Sequence, residues 1–156
     1  MKISIQTQDF DATAELALLR GNRTDIGAVA SFVGFVREVN SEPNHQKNVS
    51  SMMLEHYPGM TEKSLAAIVE QAQQRWKIID ATIIHRVGVL QAAEQIVLVA
   101  VASAHRGDAF AACEFIMDYL KTEAPFWKKE TTADGDQWVD AKVTDDAARE
   151  RWKNFK

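Results

Sequence analysis

The chain has 156 residues, 46% of them hydrophobic and 26% charged, which fits one ordinary globular domain and excludes a disordered chain. Its one cysteine, Cys113, excludes an intrachain disulfide framework and a cysteine-based zinc site within one chain. A formal net charge of −4 argues against a broad nucleic-acid surface, although it leaves room for a compact basic cluster.

Residues 1–156 read as a single domain, with no repeat, low-complexity tract or linker. The first residues lack the apolar core of a secretory signal. The longest uncharged apolar stretches, 26–36 and 95–104, are too short to span a bilayer. A soluble cytoplasmic protein is expected.

In chain order, Ile3 and Ile5 alternate with polar neighbours and predict a first strand. Asp11 is placed to cap a helix running to Arg20, with Gly21-Asn22 ending it. Residues 27–37 (GAVASFVGFVR) predict a strand, with a bulge or close backbone approach at Gly34. Residues 38–48 predict a polar surface loop, and 49–57 the next strand. Pro58-Gly59 breaks that strand. Thr61 is the expected N-cap of a helix over 61–76, with Leu65, Ile68, Val69, Ala72 and Trp76 at helical spacing. Residues 78–87 and 94–103 predict two antiparallel strands joined by a short connection around 90–93. A helix over 108–122 follows, with Phe110, Cys113, Met117 and Leu120 as its buried stripe and Pro125 as its stop. Residues 126–131 and 137–141 predict a hairpin around Asp134-Gly135. Residues 144–155 predict a closing helix with Trp152 as its anchor. Strand pairs separated by helices argue for an α+β fold with a mainly antiparallel sheet.

The sequence carries no nucleophile elbow, no HExxH pair, no EF-hand loop and no Gly-rich phosphate loop. Cys113, on an apolar helix stripe, reads as a buried hydrophobe. His105-Arg106 sits at a strand-to-helix junction, where side chains and free N–H groups converge on anions. It reads either as an anion site or as a salt-bridged surface pair. His85-Arg86 and His56 read as structural. Lys121 stands near a helix C-terminus, where its charge suits the dipole. In the strand after Pro125, Phe126, Lys128 and Glu130 share one face and Trp127 and Lys129 the other. Spacing alone makes Lys121 and Lys128 solvated surface lysines. Burial against the aromatic walls would make them proton carriers.

The segments LEHYPGMTEKSL (54–65), SAHR (103–106) and FIMDYLKTEAPFWKKE (115–130) resemble the large, catalytic subunit of molybdopterin synthase. FVGFVR (32–37) and GDQWVDAK (135–142) fit the same pattern, so the resemblance runs from about residue 27 to residue 152. It implies an α/β hammerhead fold: a mainly antiparallel sheet flanked by helices, with a small additional β subdomain. It also implies a homodimer that holds two ubiquitin-like small subunits ending in Gly-Gly, making a heterotetramer. The thiocarboxylated tail of the small subunit gives sulfur to cyclic pyranopterin monophosphate, and two transfers form the dithiolene of molybdopterin. No metal or cofactor is implied at this step.

Carried over residue by residue, the resemblance makes Lys121 and Lys128 catalytic. It puts Arg37, His105, Arg106, Lys121, Lys128, Lys129 and Lys142 at the substrate. Phe32 and Met117 fall beside the tail channel. Two departures stand out. Lys142 replaces an arginine that usually reaches in from the other protomer, which keeps the charge and loses the bidentate grip. Gly107-Asp108 replaces small hydroxyl residues and adds a negative charge near the His-Arg pair. The alternative is a non-catalytic homologue that only binds the tail of a ubiquitin-like sulfur carrier.

Overall fold

The computed structural model describes residues 1–38, 49–133, 135–139 and 143–154. The elements are β1 (Lys2–Gln6), α1 (Ala12–Arg20), β2 (Ala28–Phe35), β3 (Val49–His56), α2 (Met60–Arg75) and β4 (Ile78–Arg86). They continue with β5 (Gly88–Gln91), β6 (Gln95–Ser103), α3 (Arg106–Glu123), β7 (Phe126–Thr132), β8 (Gly135–Val139) and α4 (Val143–Arg151), then a 3-10 turn at Trp152–Asn154. Among the described residues, no helix is long and apolar enough to cross a membrane.

The strands form two four-stranded sheets, β1-β4-β6-β2 and β5-β3-β7-β8. Among the described residues, only β1, paired with β4, is parallel to its neighbour. The α+β expectation holds. The missed element is β5, which occupies the gap between the predicted strands 78–87 and 94–103, where only a short connection around 90–93 is expected. Gly88 turns the chain at φ +88°, and the next residues pair with β3 instead of continuing β4. One chain run therefore ties the two sheets together at the Arg86–Gly88 joint.

One face of the first sheet packs against α2 and α3 through Leu65, Ile68, Ile83, Val99, Phe115 and Ile116, all 0–1% exposed. The short α1 covers the opposite face over Ile84, Leu98 and Ala100. Asp11 caps α1 as expected, its carboxylate accepting from Ala14 N at 3.0 Å. A third cluster of Val36, Met52, Leu54, Val87 and Leu90 lies under the second sheet. The other face of that sheet leaves Val89, Met53, Trp127 and Trp138 exposed.

Two expectations about helices are corrected. Thr61 is not the N-cap of α2. The cap is Gly59, whose N–H donates to Glu62 Oε2 at 2.6 Å, and Thr61 is the second helical residue, fully buried in the first turn. Phe110 is not in the buried stripe of α3 but 66% exposed, because the face turned to the core runs through Ala109, Ala112, Cys113, Ile116 and Leu120. Cys113 is buried, with its thiol 3.8 Å from Val99 O, and burial pushes its pKa up to about 11. It is the inert hydrophobe that its spacing suggested.

Candidate functional site

The element that organises the site is the corner between α3 and β7. Pro125 cannot continue the helix, and Ala124 before it turns extended (φ −76°, ψ 132°). Lys121 lies on the last turn of α3 and Lys128 on β7, one on each side of this corner. Lys128 faces Leu54 across the β3–β7 ladder, and Glu130 faces Met52. Both partners are buried in the third cluster, so Lys128 lays its stem along that cluster. Its ammonium meets Glu130 Oε1 at 3.1 Å, and Glu130 is 8% exposed. Lys121 is exposed and the Lys128 side chain is 30% exposed. One chain alone therefore does not supply the desolvation that proton-carrying lysines require.

His85 sits under the corner. It is 6% exposed, and its ring stacks on Phe126 with centroids 3.9 Å apart and planes at 19°. Its Nδ1 lies 2.8 Å from the Arg86 carbonyl. A carbonyl only accepts, so Nδ1 carries the proton and Nε2 the lone pair. Burial foremost, with smaller contributions from the charges of Lys121 and His56, lowers its pKa to about 4 against the opposing pull of the Arg86 carbonyl. The imidazole is neutral at ordinary pH. His56 pairs with Glu62 at 3.8 Å. Arg86 is structural as expected: its guanidinium donates to Thr7 O at 3.0 Å and 3.2 Å and to Gln95 O at 3.0 Å.

His105 and Arg106 stand at the other end of α3. His105 is the extended residue before the helix, and no side chain caps the first turn. Asp108 does not cap it either. Its carboxylate accepts from Lys77 N at 3.1 Å, which ties the junction to the start of β4. Gly27 donates to Ser103 O at 3.0 Å and lies so close that a Cβ there would run into Ala104 O. The His-Arg turn is thus held rigidly, but Lys121 is sixteen residues further along the helix, about 24 Å away. Within one chain the two basic sets do not converge.

The remaining expected residues distribute as follows. Arg37 is exposed and directly follows Val36, which is 2% exposed in the third cluster. Phe32, 43% exposed, lies on the edge strand β2 beside Gly34, where a bulge shifts the register as the sequence suggested. Met117 is 8% exposed in the main core. Lys129 points to the opposite face from Lys128, over the Trp138 ring at 5.7 Å and 3.4 Å from Asp136. Lys142 lies outside the described residues. Thr61, His85 and Glu130 also stand at the corner, although the sequence marks Thr61 only as a cap, His85 only as structural and Glu130 only as sharing a face with Lys128. Of the three, only Glu130 is tied to Lys128 by the sequence, through its alternation with it.

The MoaE protein family matches residues 5–123. The molybdopterin synthase catalytic subunit of Ralstonia nicotianae is 65% identical over 96% of this chain and 83% of its own length. The namesake from Pseudomonas aeruginosa is 51% identical over 98% and 99%. The solved molybdopterin biosynthesis MoaE protein of Burkholderia ambifaria superposes with a TM-score of 0.82 at 59% identity, covering 97% of each chain. Molybdopterin synthase from Staphylococcus aureus gives 0.77 at 32% identity, covering 89% of this chain and 96% of that one. Together with the lysine-flanked corner and the His-Arg turn, these likenesses establish that the chain belongs to the MoaE family.

Proposed function

We propose that this chain is the catalytic subunit of a molybdopterin synthase. It moves sulfur from the C-terminal thiocarboxylate of a ubiquitin-like small subunit, ending in Gly-Gly, to cyclic pyranopterin monophosphate, and so builds the dithiolene of molybdopterin. The observation that carries this reading is the 65% identity, along 96% of the chain, to a relative named for that activity. The reaction belongs in the cytoplasm, and residues 1–156 act as one unit.

The chemistry matches the residue types. A thiocarboxylate donor and a phosphorylated pterin bring several negative charges into one pocket. Arg37, Arg106, Lys121, Lys128 and Lys142 offset them, with His105 beside the phosphate and pterin and Lys129 at the rim. Phe32 and Met117 line the channel for the tail. Each transfer forms a carbon–sulfur bond at a pterin side-chain carbon as an oxygen substituent leaves it. Water then attacks the resulting thioester, which breaks the carbon–sulfur bond to the tail, restores the tail carboxylate and leaves the sulfur on the pterin. Lys121 moves the proton or steadies the acyl oxyanion, and Lys128 compensates charge beside it. The incoming tail covers Lys121 and supplies the desolvation that the isolated chain lacks.

The separation along α3 points to a homodimer. His105 and Arg106 reach the lysines only if they come from a second copy, with a small subunit at each outer end of a heterotetramer. The test is a reconstitution with thiocarboxylated small subunit and cyclic precursor, assayed for dithiolene. Lys121→Ala is expected to lower turnover about 10²–10⁴-fold while the small-subunit complex still forms. Full turnover by that variant would overturn its role. No product from the unaltered chain at saturating donor would leave only the tail-binding reading.

A further inference from the structure

The relative placement of Lys121 and Lys128 is set by one corner, and the corner has little backbone bonding of its own. Phe126 N donates to Ala124 O at 2.9 Å across a tight bend. Pro125 has no N–H to give. Two side chains from other elements close on this bend. Thr61, fully buried at the start of α2, donates its hydroxyl to Pro125 O at 3.0 Å. Thr61 Oγ1 in turn accepts from Tyr57 N at 2.9 Å, so the hydroxyl links the β3–α2 turn to the corner. On the next residue, the His85 ring stacks on Phe126 and is fixed in turn by its bond to Arg86 O. Phe126 also faces His56 in the β3–β7 ladder.

We infer that Thr61 and His85 are positioning residues that fix the Pro125–Phe126 corner and thereby hold Lys121 and Lys128 at their working separation. The inference rests on the sulfur-transfer reading of those two lysines. Residue chemistry explains the choices. A threonine hydroxyl can donate and accept at once, which valine cannot. A neutral imidazole offers a flat face to Phe126 while still using one N–H. The carbonyl of Pro125, if left without its donor, costs about 1–3 kcal/mol and is free to tilt. A shift of about 1 Å at a reacting group costs about 10²-fold in rate.

The experiment uses the full chain with its small subunit. Thr61→Val removes the hydroxyl at constant shape, and His85→Leu removes the ring at similar bulk. Thr61→Ser and His85→Phe restore the hydroxyl and the ring. Two readouts are taken well below each variant's Tm. The first is kcat against KM for the precursor. The second is the carbon-13 spectrum of dimethylated lysines, which needs no turnover. Thr61→Val and His85→Leu are expected to lower kcat at least about tenfold with KM within about threefold. They should also move the Lys121 and Lys128 resonances and leave Lys2 and Lys153 in place. Thr61→Ser and His85→Phe should recover most of the rate. Unmoved Lys121 and Lys128 resonances, or an unchanged kcat in a merely less stable protein, would overturn the inference. If Thr61→Val does not fold, His85→Leu decides alone. If the unaltered chain gives no product, the sulfur-transfer reading falls and the lysine spectra still decide the positioning.

Discussion

His85 shows how one buried side chain couples the site to pH. It is neutral in the fold with a pKa near 4, and in the unfolded chain it returns to about 6.5. Between those values the unfolded chain holds a proton that the folded chain does not. Stability is therefore fully present above pH 6.5 and falls as pH drops towards 4, by up to about 3 kcal/mol from this group. The groups that raise the cost of protonation are Lys121 and His56, whose charges face the ring. Urea unfolding at pH 7 and pH 4.5 should show the loss in the unaltered chain and a markedly flatter response in His85→Phe. Parallel pH responses in the two proteins would show that the imidazole is not the titrating group. His85 was illegible in the sequence. A histidine inside a β-run is ordinary, and only the approach of α3, Phe126 and Arg86 gives it a role. Lys121 and Lys128, by contrast, lie within a motif long enough to read directly.

At the scale of elements, the junctions matter more than the elements themselves. Gly27 is the clearest case, because it lies against the backbone of Ala104 just before the His105–Arg106 turn. A methyl group there meets a carbonyl and not the flexible end of a side chain, so strand β2 or the turn must move. Gly27→Ala is expected to cost about 2 kcal/mol or more by overpacking. It should also weaken binding of an anionic precursor more than it weakens small-subunit docking. Denaturation midpoints and a precursor titration check this, and a Gly27→Ala protein of unchanged stability would refute the tight approach. The same scale explains what the sequence withheld. Helix and strand positions followed from apolar period, and α1, α2, α3, β4 and β6 fell close to where it put them. β5 did not, since a four-residue strand after Gly88 has too short a period to announce which sheet it joins. Thr61 looked like a cap because caps and first-turn hydroxyls share one sequence pattern. Only the carbonyl of Pro125, 64 residues away, distinguishes them.

At the scale of the whole molecule, α3 acts as a spacer between two half-sites. Its C-terminal end carries Lys121 beside the Lys128 corner, and its N-terminal end carries His105 and Arg106 about 24 Å away. A helix this well buried does not bend to bring its ends together, with Phe115 and Ile116 at 0% exposure in its middle. If both ends serve one reaction, each pocket joins the C-terminal end of one copy to the N-terminal end of another. That arrangement has a consequence that a self-contained site does not share. Lys121→Ala should spoil one half-site and Arg106→Ala the other. Mixing the two inactive proteins and letting subunits exchange gives mixed dimers in which one pocket carries both defects and the other carries none. With random exchange about half the dimers are mixed, so about a quarter of wild-type sulfur-transfer activity should return. A self-contained site predicts no recovery, because every pocket in the mixture then lacks one essential group. Mixing two different lysine variants, Lys121→Ala with Lys128→Ala, is the control and should restore nothing, since both residues belong to the same end.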